Sequence, residues 1–385
     1  MKVLILWVDA LRHDYIKPET MPFLHSLKAR YGLNFCEGML GYGSIFSTFI
    51  TGKYPEETNQ FSSFILNQQR SFLDKVFYQI VRVVPNPYSF YLINLLNFAL
   101  GKDFFTPAVD LKVLKEFKQS PEKFYHKRSA LAVKTLFNYL DDNSKIYIGY
   151  NWPLVFSSRE KSRLTPFVRN RDLSRASYFK SLLKRSEADL YFMHLWDLDY
   201  FGHLYGPDVT LLKEKLIEQD KHIRSIVSDF SWEEDLIIIW SDHGLIEVKN
   251  KVNLLEFLPK SEKYKVFLDS TMARFYLEDR GIEQEIMGAL KDKSFGYFVS
   301  DDIKEKYHLN FKDNRFGDLI YAVHEGSLIY PNHFQGFNEV KAMHGYGQNL
   351  DGEKSVYISN AGKIGAGRLI DFTPFILDRM GLNFL

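Results

Sequence analysis

Two uninterrupted apolar runs, each ending abruptly on an acid or an acid-bearing turn, constrain this chain more than anything else in it. Val3-Leu4-Ile5-Leu6-Trp7-Val8 delivers Asp9, and Leu236-Ile237-Ile238-Ile239-Trp240 delivers Ser241-Asp242-His243-Gly244. A strand without polar alternation is satisfied only where both of its faces are covered, as in a parallel sheet between layers of helices. Ile146–Tyr150, Leu190–Leu195 and Ser355–Ile358 are three further strand-like runs. Between them, Leu131, Leu136, Phe137 and Leu140 recur at helical spacing before Ile146. Leu212, Leu216, Ile223, Val227 and Phe230 do so before Leu236. Alternating strands and helices predict an α/β fold with a largely parallel sheet flanked by helices.

Length and composition narrow the class. At 385 residues the chain suits two to three domains, or one large α/β domain with insertions. Lys+Arg 49 against Asp+Glu 48 lacks the basic excess of a nucleic-acid binder, so no nucleic acid is expected as a partner. A single cysteine, Cys36, excludes an internal disulfide framework and any thiolate-rich metal site. The N-terminal apolar run is too short for a signal peptide, and no stretch reaches the roughly 18 apolar residues of a membrane span. The nearest approach, Phe90 to Leu100, is broken by Asn94 and Asn97. A cytoplasmic location follows as an expectation, with peripheral membrane contact left open. Aromatic residues reach 16%. A bulky core accounts for that first, and a greasy surface facing lipid or a partner second.

The chain divides by texture. Residues 1–60, 129–255 and 341–385 carry the strand-and-helix alternation and form the core. Residues 61–128 are dense in Phe, Tyr and Asn and interrupted by Pro85, Pro87, Pro107 and Pro121. They read as a mostly helical, aromatic-rich insertion over the C-terminal edge of the sheet. Residues 256–340 read as a smaller insertion of mixed short elements.

Five constellations carry chemistry. Asp9 ends the first strand, where α/β folds place ligands, although Asp is also a favoured helix cap. Asp199-Tyr200-Phe201-Gly202-His203 places an acid and a histidine four apart, able to chelate one metal from a shared helical face or a tight turn at Gly202. Asp197 competes with Asp199 as the ligand. Asp242-His243 sits in a turn after the fourth strand. His344 lies in the glycine-flanked His344-Gly345-Tyr346-Gly347. Ser44 follows Gly41-Tyr42-Gly43 and opens a helical stretch ending at Thr51-Gly52, where free N–H groups favour an anion. His13 and His194 read as structural. Each motif alone fits a turn or a cap. Together, three acids, three histidines and a hydroxyl describe a two-metal phosphoryl-transfer site.

These motifs resemble the alkaline phosphatase superfamily, and within it the type I phosphodiesterase / nucleotide pyrophosphatase family. Val8-Asp9-Ala10-Leu11-Arg12-His13-Asp14-Tyr15 is similar to that family's first motif. Thr51-Gly52-Lys53-Tyr54-Pro55-Glu56 is similar to the segment closing its nucleophile helix. Asp199 to His203, Ser241-Asp242-His243-Gly244 and His344-Gly345-Tyr346 resemble the remaining ones, in the same order. The resemblance covers the core and not the segment from about 60 to 128. It implies an alkaline-phosphatase-like core with inserted cap segments. It also implies one metal held by Asp199, His203 and His344 and a second by Asp9, Asp242 and His243. Both ions would be Zn2+, with Mn2+ as the alternative.

Two departures accompany it. The family's nucleophile usually lies nine residues before the Thr of the Thr-Gly pair, which here reaches Tyr42. A shortened loop makes Ser44 the candidate, with Ser47 and Thr48 as fallbacks. The Asn that usually donates to the phosphoryl oxygen in diesterases has no clear counterpart. The implied activity is a metal-dependent phosphodiesterase or pyrophosphatase working through a covalent phospho-enzyme on a small-molecule, lipid or glycan phosphoester. The alternatives are a transferase passing the phosphoryl substituent to a sugar or lipid, a phosphomonoesterase, and a non-catalytic metal-containing binder. A sulfatase is disfavoured, because neither Cys36 nor Ser44 sits in the Cys/Ser-x-Pro-x-Arg context that branch requires.

Overall fold

In the computed structural model the apolar runs become the middle of one eight-stranded sheet. Residues 1–68, 72–84, 88–100, 111–120, 131–151, 154–159, 163–165, 171–334, 339–347 and 350–385 are described; Pro85, Pro87, Pro107 and Pro121 lie outside them. The strand order is Asn34–Phe35, Val356–Ser359, Leu236–Trp240, Val3–Val8, Leu190–Leu195, Tyr147–Asn151, Leu154–Ser157, Arg163–Leu164. The four strands from Leu236–Trp240 to Tyr147–Asn151 run parallel, and the flanking pairs are antiparallel. Only two residues separate Tyr147–Asn151 from Leu154–Ser157, and so short a connection admits an antiparallel hairpin alone.

Side-chain alternation splits the sheet's surroundings into two cores. Leu4, Leu6 and Val8 face the helices Pro22–Tyr31, Asp172–Arg185 and Val209–Val227. Val3, Ile5 and Trp7 face Ile45–Thr51, Leu136–Asp142 and Phe372–Arg379. Each Leu, Ile or Val buried this way contributes about 1.5–3 kcal/mol, so a sheet covered on both faces is the stable arrangement for such strands. Leu131 and Phe230 fall outside the helices expected to include them. Thr135 caps the first of these helices by accepting from the Asn138 N–H, and the second ends at Val227.

Residues 61–128 contribute, among the described residues, the helices Phe72–Val83 and Tyr88–Ala99, a 3-10 turn at Leu111–Lys115 and a hairpin of Phe64–Leu66 with Phe117–Gln119. Three-residue strands are too short for alternation to show in sequence. Residues 256–340 contain a four-stranded antiparallel sheet, Tyr264–Leu268, Met272–Leu277, Leu319–Val323 and Gly296–Phe298, in that spatial order. The two modules share a core in which Phe64, Phe77, Ile93 and Phe117 meet Phe267 and Tyr276. Among the described residues no helix is long and apolar enough to cross a membrane.

Candidate active site

Parallel register brings the acids together. Val8 pairs with Leu195, and Trp7 pairs with both His194 and Trp240, so three strands end at one level. Asp9 lies one residue past its strand, Asp242 two past and Asp199 four past. Each therefore emerges at the carboxyl edge, where open α/β sheets bind ligands. Ala10 takes a left-handed φ of 56° and turns the chain away immediately after Asp9.

Asp199 and His203 share a face of the helix Asp197–Tyr205, with Nε2 of His203 3.1 Å from Oδ1 of Asp199. The helix runs unbroken through Gly202, so the pair meets by helical spacing and not by a tight turn. A Cβ at Gly202 would collide with the Leu245 side chain. His344 follows the strand Ala342–Met343, which pairs with Ile246–Glu247 just beyond the Asp242-His243 turn. Its Nε2 lies 3.6 Å from Asp199 Oδ1, and its ring stacks on His243 with centroids 3.6 Å apart. His243 Nε2 is 3.2 Å from Asp242 Oδ2 and 3.5 Å from Asp9 Oδ1.

All six ligand-type side chains expected from the sequence thus converge. Ligand atoms of Asp9, Asp242 and His243, and of Asp199, His243 and His344, lie within 4.8 Å of one another in each set. His243 belongs to both clusters, while His203 approaches the Asp199 carboxylate and donates from Nδ1 to the Ala342 carbonyl at 2.7 Å. Asp197, the competing ligand, turns elsewhere. It accepts from the Asp172 N–H at 3.2 Å and lies 3.6 Å from Arg171.

The electrostatics of the cluster are those of charge held without counter-charge. Burial first, then Asp242 and Asp199, drives the Asp9 carboxyl well above the ordinary carboxylate range. Burial also raises Asp242, against the pull of His243. Burial would raise Asp199 too, but the adjoining His203 pulls it below its usual value. Asp199 in turn raises His203 against the effect of burial. Burial and the neighbouring His243 hold His344 well below an ordinary imidazole. One oxygen each of Asp9, Asp199 and Asp242 is buried and accepts no hydrogen bond among the described residues. Buried carboxylate oxygens left open beside imidazoles are the donor set of a divalent cation site, so the residues present fit such ions.

Ser44 immediately precedes the helix Ile45–Thr51, every residue of which is buried, and Gly52 closes that helix at a φ of +64°. Ser44 Oγ is buried and has no hydrogen-bond partner among the described residues. Ile45, the next residue, lines a recess with Asp242, His243 and Glu353. The helix is clamped to the ligand-bearing strands by stacked rings, Phe46 on Trp7 at 4.7 Å and Phe49 on Trp240 at 4.2 Å. Of the alternatives, Ser47 donates its hydroxyl to the Ser44 carbonyl, whereas the Thr48 hydroxyl is buried without a partner. Tyr42 donates to Asp269 at 2.6 Å and sets its ring edge-on to His344.

Sequence reasoning missed three supports. His194, read as structural, is 2.9 Å from both Asp9 Oδ2 and Asn151 Oδ1 and stacks on Trp7 at 3.9 Å. Glu353 accepts from the backbone N–H groups of Gly345 and Tyr346, fixing the loop behind His344. Thr271 donates to the Gly345 carbonyl at 3.3 Å. The one legible signal was the position of His194, facing Trp7 across two apolar strands.

Residues 93–347 match the model of the type I phosphodiesterase / nucleotide pyrophosphatase family. The chain belongs to that family. Its members share a phosphoester-acting site, and this type I phosphodiesterase-family chain has the mixed α/β architecture of its relatives. Murine ectonucleotide pyrophosphatase / phosphodiesterase 5 superposes with a TM-score of 0.71 at 16% identity, over 100% of this chain and 96% of that one. An inactive variant of the murine protein in complex with AMP gives 0.70, and the human protein 0.69, each at 16% identity over the same shares. In sequence, the chain is 30% identical over 76 residues to the human GPI ethanolamine phosphate transferase 2 catalytic subunit. It is 34% identical over 74 residues to GPI ethanolamine phosphate transferase 3 of Saccharomyces cerevisiae. Those stretches are 18% and 19% of this chain but only 8% and 7% of the two relatives.

Proposed function

We propose that this chain cleaves a phosphodiester at a two-cation centre, with Ser44 as the nucleophile. The observation that carries the reading is the convergence of Asp9, Asp199, His203, Asp242, His243 and His344 at one sheet edge, beside a recess lined by Ile45, the residue after Ser44. Asp199, His203 and His344 would hold one ion and Asp9, Asp242 and His243 the other, with His243 near enough to serve either. Divalent ions bound there supply the charge that activates a hydroxyl and neutralises phosphoryl oxygens. Zinc suits a donor set of imidazoles and carboxylates, and manganese is the alternative.

The chain's own part is covalent and positional. Ser44 Oγ bonds to phosphorus as the bond from phosphorus to the leaving oxygen breaks, and the departing alcohol takes up a proton. An incoming oxygen then bonds to phosphorus and the Ser44 oxygen is released. Phe46 and Phe49, stacked on Trp7 and Trp240, hold the Ser44 helix in register with Asp9 and Asp242.

If the incoming oxygen is that of water, the enzyme is a hydrolase. A second reading, transfer to a hydroxyl of a sugar or lipid, is favoured by the names of the sequence relatives, which are ethanolamine phosphate transferases. The test is turnover of a chromogenic phosphodiester and its matched phosphomonoester by zinc-loaded protein, with and without candidate acceptor alcohols. Preference for the diester is expected. Ser44→Ala should abolish turnover while retaining both metal equivalents. Unchanged turnover in that variant would remove Ser44 from the role, and an acceptor-dependent product would select the transferase.

A further inference from the structure

The helix Tyr88–Ala99 is apolar on its outer face as well as at Ile93 on its inner one. Its polar residues Ser89, Asn94 and Asn97 are buried, the last two at 4% and 2% exposure. Tyr88, Leu92 and Leu95 face outward, at 70%, 39% and 62%, with Leu100 just beyond at 51%. The helix contains no charged residue. Seven of the sixteen exposed large apolar side chains among the described residues lie between Phe72 and Leu100. An ordinary surface helix turns polar residues outward, and an exposed apolar face of this kind marks a contact surface.

Charge identifies the contact. Residues 61–128 hold ten Lys or Arg against five Asp or Glu, whereas the whole chain is nearly neutral at +1. On the elements that share a core with this helix, Lys75, Arg82, Lys115 and Lys118 are exposed. Glu116, on the same stretch, lies beside Lys265 at 3.8 Å. A second copy docking through the same face would bring two basic rims together, because a two-fold interface sets each patch against itself. A bilayer with anionic headgroups satisfies both features at once: acyl chains for the leucines and phosphates for the cations. We propose that the outer face of the helix Tyr88–Ala99, with its basic surroundings, is an interfacial docking surface for an anionic lipid bilayer.

A series of contacts joins the inner side of this helix to the candidate site. Ile93, on the buried side of the helix, shares a core with Phe64. Phe64 meets Phe334, Phe334 meets Tyr42, and Tyr42 meets His344, with centroid separations of 6.0, 5.9 and 5.1 Å. The docking itself does not depend on any activity, so it stands or falls apart from the proposed reaction.

The experiment is flotation of the full-length protein with phosphatidylcholine vesicles, with and without phosphatidylserine. Binding is expected to the mixed vesicles, falling with added salt. The Leu92→Ser/Leu95→Ser variant should lose about tenfold or more in affinity per leucine, with turnover of a soluble diester unchanged. Lys115→Gln/Lys118→Gln should weaken binding to the anionic vesicles alone. A Leu95→Trp variant should show blue-shifted emission on the mixed vesicles. Absence of binding by the unsubstituted protein would overturn the proposal, as would equal binding by the leucine variant. So would sedimentation showing a dimer that the leucine variant dissolves, which would assign the face to a second copy.

Discussion

His194 bridges Asp9 and Asn151, so it fixes the orientation of a candidate ligand without approaching the cation sites itself. A partner of this kind sets the geometry and basicity of the ligand it touches. Replacing it typically costs 10–100-fold in metal affinity. His194→Ala should therefore weaken zinc binding by roughly that factor in a competition titration, with less effect on the fold. Glu353 acts at the same scale through the backbone. Burial pushes its carboxyl up to about 8, against the two N–H groups it accepts, from an ordinary value of 4.5. Between those values the folded, metal-free chain keeps a proton that the unfolded chain has released. Stability then declines as pH rises through that window. Glu353→Gln keeps an acceptor for Gly345 and Tyr346 and cannot ionise. It should flatten the decline in denaturant melts of the chelated protein, and an unchanged slope would assign it to another group.

The helix Asp197–Tyr205 shows how tightly an element can be specified. Asp199 and His203 need its pitch, and Gly202 needs to stay bare because Leu245 fills the space where a Cβ would go. Gly202→Ala should displace the helix, costing about 1–3 kcal/mol from overpacking and weakening metal binding. Leu245→Ala in the same chain should recover part of the loss, a coupling that a double-mutant cycle would read. The Asp199-to-His203 spacing was legible because one helical turn is a local fact, and Asp9 and Asp242 were legible because each ends an apolar run. Other supports join residues far apart in sequence. His194 finds Asn151 across 43 positions and Tyr42 finds Asp269 across 227, and no local pattern announces either. The parallel centre of the sheet was readable from its unbroken apolar strands. The antiparallel flanks were not, because Leu154–Ser157 and Asn34–Phe35 are too short to carry a pattern.

At the scale of the whole molecule, residues 61–128 and 256–340 meet in one aromatic core, and the six candidate ligands join segments from the first ten residues to position 344. Closing those segments around cations would tie the fold to metal occupancy. Ligand at about 100 times its dissociation constant adds about 2.7 kcal/mol of stability. Chelation should accordingly lower the melting temperature, and zinc should restore it. Asp9→Asn/Asp242→Asn, which removes buried charge and the carboxylate ligands of one ion, should melt with a smaller dependence on chelator. An equal chelator effect in that variant would place the stabilising ion elsewhere. The stacked rings beside the site have a practical consequence too. Trp7 lies against His194, and Trp240 stands two residues before Asp242, so both indoles border the ligand cluster while Phe46 and Phe49 hold them still. They make a native optical gauge. Filling the site with a quenching ion such as Co2+ should dim their emission in step with occupancy, which lets loading be timed and counted without a label.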